Sequence, residues 1–298
     1  MSRANGPSVS VSVTPSVRGQ CALLLRLCPA GAGNRVEPGE CRPHNGGMDP
    51  AAEQKLTGGN VGAVVRAGDT VRKEAGPHTP AVEAYLGYLN AAGFTGAPRT
   101  LGRDQAGRHV LEYVDGAVAQ DRPPLDDAGL YRIGGLIREL HDLSEGFTPP
   151  PGARWWVAIP PDREDLICHH DLAPWNLVLA GDRWVFIDWD GAGPGSRLWD
   201  LAYAIRAFVP LEAGGDPVSD GRRIRVMADG YGLAAADRAR LPALLAARTR
   251  AMHDLLRDGA ATGTQPWARL YAEGHGDYWG GAARYAARHE SRWRQALA

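Results

Sequence analysis

The chain has 298 residues and a formal net charge of −1, and 44% of its residues are hydrophobic and 22% charged. This length is ample for a hydrophobic core and favours two lobes over one. The balanced charge, without a basic stripe of interleaved aromatic residues, argues against a nucleic-acid binder. No apolar run is long enough to cross a membrane, and the short run Cys21–Leu25 is broken by Arg26, so a cytoplasmic protein without membrane insertion or secretion is expected. The four cysteines match no zinc-binding spacing.

The first segment of the chain, residues 1–47, is rich in Ser, Val, Pro and Gly and lacks hydrophobic periodicity. This composition predicts a disordered N-terminal extension. Asp49 and Pro50 then have the residue types of a helix N-cap and first helical position. Two alternatives stay open for the extension: translation starts at Met48, or the segment is a genuine tail with a partner. Intact-mass measurement of the protein from its native host distinguishes them.

A glycine-rich segment, Gly58–Gly62, precedes two short apolar runs at 63–66 and 70–73 that are joined by a turn at Gly68. The pattern predicts a β-hairpin. Glycines at its entry would let backbone amides approach phosphates closely, although an ordinary hairpin explains the pattern as well.

Two amphipathic helices and one strand are predicted next. The first helix starts at Thr79–Pro80 and ends near Gly93, with Val82, Leu86 and Leu89 on one stripe. An apolar strand follows at 110–114. The second helix covers about 126–144, and its His141 is expected to be a core or helix-terminal histidine.

The central motif is His-x-Asp-x-x-x-x-Asn, formed by His169, Asp171 and Asn176, with Asp188 at the end of the next apolar run. This is the spacing of a kinase catalytic loop. Asp171 is the candidate for a carboxylate that accepts the proton of an attacking hydroxyl. Carboxylate and amide oxygens suit Mg²⁺, so Asn176 and Asp188 are the candidate metal ligands, and Asp190 is a further acid that could bind a second ion.

The runs around the motif predict how these ligands meet. Residues 177–179 and 184–187 are apolar and are separated by a turn at Asp182, which predicts an antiparallel hairpin. Such a hairpin places Asn176 and Asp188 nearly opposite each other. The alternative is a solvated polar turn in which Asp171 acts as a cap.

The runs His169–Asn176, Ile187–Asp190 and Gly195–Ala202 resemble the aminoglycoside phosphotransferase family, relatives of choline kinases within the protein-kinase-like fold. The resemblance is specific over roughly residues 58 to 210. It implies an α+β, two-lobed fold, with a small sheet in the N-lobe and a mostly helical C-lobe. It also implies phosphoryl transfer from ATP or GTP with Mg²⁺, in which His169 holds the catalytic loop and Asp200 supports it from the core.

The same resemblance implies the nucleotide-binding residues. A cation on the third strand should touch the phosphates, and either Arg72 or Lys73 can supply it, because strand alternation sends them to opposite faces. Glu83 on the following helix is the candidate partner of that cation, with a favourable first-turn acid as the alternative. Residues Glu112 to Val114 would form the hinge that binds adenine through the main chain.

Three further helices are predicted, at about 218–231, 237–258 and 266–296. In the family, the C-terminal helices build the acceptor pocket, and a polycationic acceptor would favour acidic residues there. The candidates, each otherwise a solvated helix residue, are Asp216, Asp220, Asp254, Glu273 and Asp277. Four tryptophans could line an apolar or cation-binding wall or belong to the core: Trp199, Trp267, Trp279 and Trp293.

The sequence therefore predicts a disordered extension at 1–47, a nucleotide-binding N-lobe at 48–116, and a C-lobe at 117–298 that carries catalysis and acceptor binding. The predicted function is ATP- and Mg²⁺-dependent phosphorylation of a hydroxyl on a small molecule. An aminoglycoside is one acceptor, but His170, where many relatives have Gly, and the lack of a dense acidic cluster leave amino alcohols, sugars and amino acids open. The other class of function is a nucleotide-binding module without transferase activity. The oligomeric state stays open.

Overall fold

The computed structural model describes residues 53–56 and 64–298. The predicted disordered extension, the helix start at Asp49 and the glycine-rich segment therefore lie outside the described residues.

The first part of the fold is a five-stranded antiparallel sheet in the order β1-β2-β3-β5-β4. Its strands are β1 (Gln54–Lys55), β2 (Val65–Ala67), β3 (Thr70–Lys73), β4 (Thr100–Arg103) and β5 (His109–Glu112). The central pairing sets Val71 opposite Leu111 and Lys73 opposite His109. Helix α1 (Thr79–Ala91) starts with its proline at the first turn, as predicted, and buries one face that includes Val82 and Leu86.

Two smaller sheets carry the catalytic segments. Strands β6 (Ala117–Val118), β8 (Leu177–Ala180) and β9 (Arg183–Phe186) form one, and β7 (Leu166–Cys168) pairs with β10 (Gly193–Gly195) in the other. The predicted hairpin is confirmed: β8 and β9 are antiparallel, with Leu177 opposite Phe186 and Gly181 in the left-handed region at φ 62°. The segment after Asp171 leads into this hairpin and the segment before Asp188 leads out of it, so the hairpin brings the two segments together.

Five helices make up most of the remaining fold. They are α2 (Asp127–Ser144), α3 (Arg197–Phe208), α4 (Pro217–Tyr231), α5 (Ala235–Thr262) and, after the single turn α6 (Trp267–Leu270) and a π-helical turn (Tyr271–His275), α7 (Gly276–Leu297). The predicted third C-terminal helix is thus interrupted, because Gly274 adopts φ 98°, which is outside the helical region. None of the helices in residues 53–56 and 64–298 is long and apolar enough to span a membrane.

The main core joins the two parts. Apolar side chains of α1, α2, α3 and the β8–β9 hairpin pack together, with residues such as Leu86, Ile137, Phe186 and Ile205 fully buried. A second cluster surrounds the tryptophans of α3, α6 and α7. The α+β fold with a small antiparallel sheet and a helical C-terminal part is confirmed.

Candidate active site

The catalytic loop runs from β7 to β8 and is held from the core by Asp200. Asp200 lies in the first turn of α3 and is 1% exposed. Its carboxylate accepts hydrogen bonds from the backbone N–H of His169 at 3.2 Å and of His170 at 2.8 Å. The His141 ring donates to it at 3.2 Å. Burial alone would raise the pKa of this carboxyl, but the three histidines outweigh it and hold the pKa at about 2.

His169 shapes the loop rather than facing a ligand. Its Nδ1 accepts from the Asp171 backbone N–H at 3.2 Å, and its Nε2 donates to the Ile187 carbonyl at 3.1 Å. The ring packs against Trp189 with centroids 4.5 Å apart. Burial lowers the pKa of His169, so the imidazole is neutral near pH 7. Both ring nitrogens are thus used within the protein.

Asp171 is fully buried, and one of its carboxylate oxygens is free. Its Oδ2 accepts from Asn176 Nδ2 at 2.6 Å and from Trp175 Nε1 at 3.4 Å, whereas Oδ1 has no hydrogen-bond partner among the described residues. Burial raises the pKa of Asp171 well above its usual range and the nearby Asp188 charge adds to this rise, whereas the Tyr203 hydroxyl close to the carboxylate lowers it. An unpartnered oxygen of this kind is available to a hydroxyl that donates a hydrogen bond.

Asn176 and Asp188 converge, as the hairpin predicts. The Ile187 backbone N–H donates to the Asn176 carbonyl at 2.8 Å, which places Asp188 next to Asn176. Asp188 has a left-handed backbone, φ 64° and ψ 63°, a strained conformation for a residue other than glycine. Asn176 Nδ2 donates to two oxygens of Asp171, so the amide oxygen is directed elsewhere. An amide oxygen and a carboxylate are thus carried on neighbouring backbone segments, and this donor set suits a hard divalent cation.

Of the two β3 cations, Lys73 faces this site. Lys73 Nζ lies 2.7 Å from Asp188 Oδ1 and 2.6 Å from Asp190 Oδ2. Although burial by itself would lower it, the two carboxylates raise the pKa of Lys73 above its usual value. Arg72 points to the other face, where it pairs with Glu53 at 3.2 Å.

The predicted pairing of Glu83 with the β3 cation is wrong. Glu83 instead forms a two-pronged ion pair with Arg103, at 2.9 and 3.1 Å. The guanidinium of Arg103 offers parallel N–H donors that match a carboxylate, which accounts for this choice of partner. The acid that holds Lys73 in addition to Asp188 is Asp190, and the lysine keeps the pKa of Asp190 below its usual value despite burial.

At the predicted hinge, two main-chain groups are already used. The Glu112 N–H donates to the Arg99 carbonyl and the Tyr113 N–H to the Asp69 carbonyl, at 2.9 and 2.8 Å. The Glu112 side chain is held by Arg183, at 2.7 and 3.1 Å. The Val114 N–H donates to no other described residue and so stays available to a ligand.

Comparison with known proteins identifies the family of this site. A sequence profile described as the phosphotransferase enzyme family matches residues 152–235, which contain the catalytic loop, Asp188 and Asp200. A trifolitoxin immunity protein from Rhizobium leguminosarum bv. trifolii is 31% identical over 194 residues, which are 60% of this chain and 73% of the relative. The chain belongs to the phosphotransferase enzyme family.

Solved structures that share this fold include three described as kinases or kinase family proteins. A microcompartment-associated aminopropanol kinase has a TM-score of 0.58 at 18% identity, over 83% of this chain and 95% of that one. An amicoumacin kinase in complex with AMP-PNP, Ca²⁺ and Ami has a TM-score of 0.58 at 14% identity, over 82% and 90%. A choline/ethanolamine kinase family protein from Mesorhizobium loti has a TM-score of 0.53 at 19% identity, over 82% and 92%. At these identities the similarity shows the fold.

The family resemblance and the phosphotransferase class expected from the sequence are thus confirmed. In this member of the phosphotransferase enzyme family, four of the five acids nominated for the acceptor pocket have partners within the chain. Asp216 caps α4, Asp220 accepts from Tyr285, Asp254 pairs with Arg257 and Glu273 pairs with Arg269. Asp277 is exposed.

Sequence reasoning missed two arginines. Arg206 on α3 and Arg248 on α5 are 1% and 4% exposed, whereas arginines are rarely buried without a partner. A signal was present in the sequence, because Arg206 interrupts the apolar run Leu201–Phe208 at a position that faces inward. Three of the four tryptophans, Trp199, Trp267 and Trp279, lie in the same buried cluster, and Trp293 lies in the main core.

Proposed function

We propose that this phosphotransferase moves the γ-phosphoryl group of Mg·ATP or Mg·GTP to a hydroxyl of a small molecule, in the cytoplasm. The observation that carries the proposal is the free Oδ1 of the buried Asp171, beside which Asn176, Asp188 and Lys73 converge. Each of these groups answers a requirement of phosphoryl transfer: a proton acceptor, oxygen ligands for a metal, and a cation for phosphate. A structural neighbour that binds AMP-PNP supports the nucleotide donor.

The nucleotide end of the site is built by residues 48–116 in this proposal. Lys73 binds the phosphates and Asp190 keeps its ammonium group oriented. The free Val114 N–H is the hinge donor to the base. Arg72 and Glu83 belong to surface ion pairs and have no part in nucleotide binding.

Asn176 and Asp188 are the residues that would hold Mg²⁺, which suits their amide and carboxylate oxygens. When bound, the ion would neutralise charge on the nucleotide phosphates. Asp188 also contacts Lys73, so the metal-binding and phosphate-binding side chains are coupled directly at 2.7 Å.

The acceptor end is built by residues 117–298. Asp171 Oδ1 accepts the hydrogen bond of the acceptor hydroxyl and takes its proton as the oxygen bonds to the γ-phosphorus and the bond to the nucleoside diphosphate breaks. Asn176 and Trp175 fix the carboxylate through its other oxygen.

The test is nucleoside-diphosphate release from Mg·ATP and Mg·GTP across aminoglycosides, amino alcohols, sugars and hydroxy amino acids. Asp171→Asn should lower acceptor-stimulated turnover by about 10²-fold or more and leave nucleotide binding intact. Asp165→Asn is the control, because Asp165 is an exposed acid of the same region, paired with Arg163. Full turnover in Asp171→Asn would refute the role of Asp171, and Asp188→Ala should separately abolish metal-dependent nucleotide binding.

A second candidate function follows from the relative that is named an immunity protein. We propose protection of a cell from a toxic small molecule, either by phosphorylating it or by binding it. Growth of sensitive cells that express wild type or Asp171→Asn in the presence of the toxic compound separates the two. Protection lost in Asp171→Asn means transfer, and protection kept in this variant means binding without catalysis. No protection by the wild type rejects the role.

A further inference from the structure

Most of the buried polar atoms that lack a hydrogen-bond partner belong to Asp171 and to four residues of α3 and α5. Nine buried side-chain nitrogen or oxygen atoms of the described residues have no partner, and seven of them belong to the following five residues: Asp171 (Oδ1), Trp199 (Nε1), Tyr203 (the hydroxyl), Arg206 (Nε and Nη1) and Arg248 (Nε and Nη1). Buried polar groups of a folded protein are normally paired, so a concentration of unpaired ones points to a ligand.

These residues form one cluster. Trp199, Tyr203 and Arg206 are spaced four and three residues apart, so they share a face of α3. The Arg248 guanidinium lies 4.4 Å above the Tyr203 ring and 5.6 Å from the Trp199 ring. Burial raises the pKa of the Tyr203 hydroxyl, the neighbouring Asp171 carboxylate raises it further, and the charges of Arg248 and Arg206 oppose this rise. Tyr203 thus links the two arginines to Asp171.

The donors and charges of the cluster favour an anion as its ligand. Arginine and tryptophan side chains only donate hydrogen bonds, and two positive charges lie here. Neither guanidinium forms an ion pair with a carboxylate of the described residues. Arg206 donates to the Tyr278 hydroxyl at 2.7 Å, and Arg248 donates to the His170 carbonyl at 3.3 Å. Aromatic faces attract the cations, as where Arg206 lies 4.0 Å above the Trp279 ring, but they leave the remaining N–H donors unpaired.

We propose that the acceptor alcohol carries a carboxylate, which Arg206 and Arg248 bind while its hydroxyl lies at Asp171. This inference rests on the proposed function and names its substrate class, a hydroxy acid. Guanidinium N–H groups match carboxylate oxygens in pairs. In this arrangement the carboxylate replaces the hydroxyl of the half-buried Tyr278 as a partner of Arg206. A polycationic aminoglycoside would bring ammonium donors against two guanidinium groups, so it is disfavoured.

The first experiment compares matched acceptors with the full chain. L-Homoserine and 4-hydroxybutyrate are each assayed for nucleoside-diphosphate release beside their uncharged amides, and beside 4-aminobutanol. We expect kcat/KM to favour the carboxylates over the amides and the amine by about tenfold or more. Equal use of the amides, or a preference for the amine, would overturn the proposal and leave the kinase function in place.

The second experiment reads binding and stability without catalysis. The hydroxy acids at millimolar concentration should raise the Tm of the wild type by about 2–4 °C and should not raise that of Arg206→Met or Arg248→Met. Without ligand, both variants should keep or raise the wild-type Tm, because methionine of similar volume replaces an unpaired buried charge. Arg250→Met, on an exposed position of α5, is the control and should respond to the hydroxy acids as the wild type does.

The outcomes separate the two proposals. A clear fall in Tm for both unliganded variants would show that the arginines are structural, and no shift with any carboxylate would show that they bind none; either result overturns the inference. An arginine-dependent shift without nucleoside-diphosphate release would support the carboxylate site and reject the kinase function.

Discussion

Asp200→Asn tests how the core holds the catalytic loop. The Asp200 carboxylate accepts three hydrogen bonds, from two consecutive backbone N–H groups and from His141. The substitution replaces one oxygen by an NH₂ group that must face a donor. Hydrogen bonds to a charged group contribute about 1.5–3 kcal/mol each, and breaking a buried charged pair costs about 3–5 kcal/mol. We therefore expect Asp200→Asn to lower the free energy of unfolding by about 3–5 kcal/mol.

The pKa of Asp200 gives an independent magnitude. It lies at about 2 in the folded chain against an ordinary value of 3.8. At 1.36 kcal/mol per pKa unit, the ionised carboxylate stabilises the fold by about 2.4 kcal/mol at pH 7. Because the folded pKa is the lower one, this stability is present above about pH 4 and is lost as the pH falls towards 2.

Urea unfolding followed by circular dichroism at pH 7 measures the effect. Asp229→Asn is the matched control, since Asp229 is 42% exposed and pairs with Arg238 at 2.7 Å on the surface. Its loss should be within about 1 kcal/mol. If Asp200→Asn destabilises the chain no more than the control does, the loop is not held by Asp200 and the reasoning is refuted.

The remaining predictions use other contacts of the fold. Asp190→Asn should weaken Mg·ATP binding by about tenfold, or about 1.4 kcal/mol, because the β3 lysine loses a carboxylate partner. Glu83→Gln should change the affinity by less than about twofold, since Glu83 pairs with Arg103 instead. Titration with a fluorescent nucleotide measures both affinities, and a larger loss for Glu83→Gln than for Asp190→Asn would contradict the prediction. Gly134→Ala should lower the free energy of unfolding by about 1–3 kcal/mol, because the added Cβ would overlap a backbone carbonyl of α4. At Gly135 the nearest atom lies 3.6 Å from an added Cβ, so Gly135→Ala should be neutral or stabilise the fold by up to about 1 kcal/mol. Equal effects of the two substitutions in urea unfolding would contradict the packing of α2 on α4. Burial lowers the pKa of His170, so as the pH falls the unfolded chain takes up this proton first, and the stability of the fold should decrease below about pH 6.5. His170→Asn suits the left-handed backbone and should reduce the slope of stability against pH by up to about 1.4 kcal/mol per pH unit. An unchanged slope would argue against this role of His170.

The parts of the site that were predictable are those made by neighbours along the chain. The distance from Asp171 to Asn176 is five residues, and a single hairpin separates Asn176 from Asp188. Strand alternation and turn chemistry act over these distances, so the pattern of residues carries their geometry.

The partners of long, flexible side chains were not predictable in the same way. Glu83 can reach more than one cation, and packing of α1 beside β4 gives it Arg103. Alternation separates Arg72 from Lys73 but does not say which face of β3 is the inner one. Only the position of the sheet against the β8–β9 hairpin decides that Lys73 meets Asp188, which lies 115 residues further along the chain.

The sequence by itself thus determined the catalytic loop, the hairpin and the family, because these depend on local spacing and on residue chemistry. Tertiary structure decided the electrostatics around them. It placed Asp190 rather than Glu83 beside Lys73, and it buried Arg206 and Arg248 near Tyr203. The charges that meet at one site belong to helices that come together only in the folded chain, so the positions of scattered acids in the sequence do not indicate the charge around Asp171.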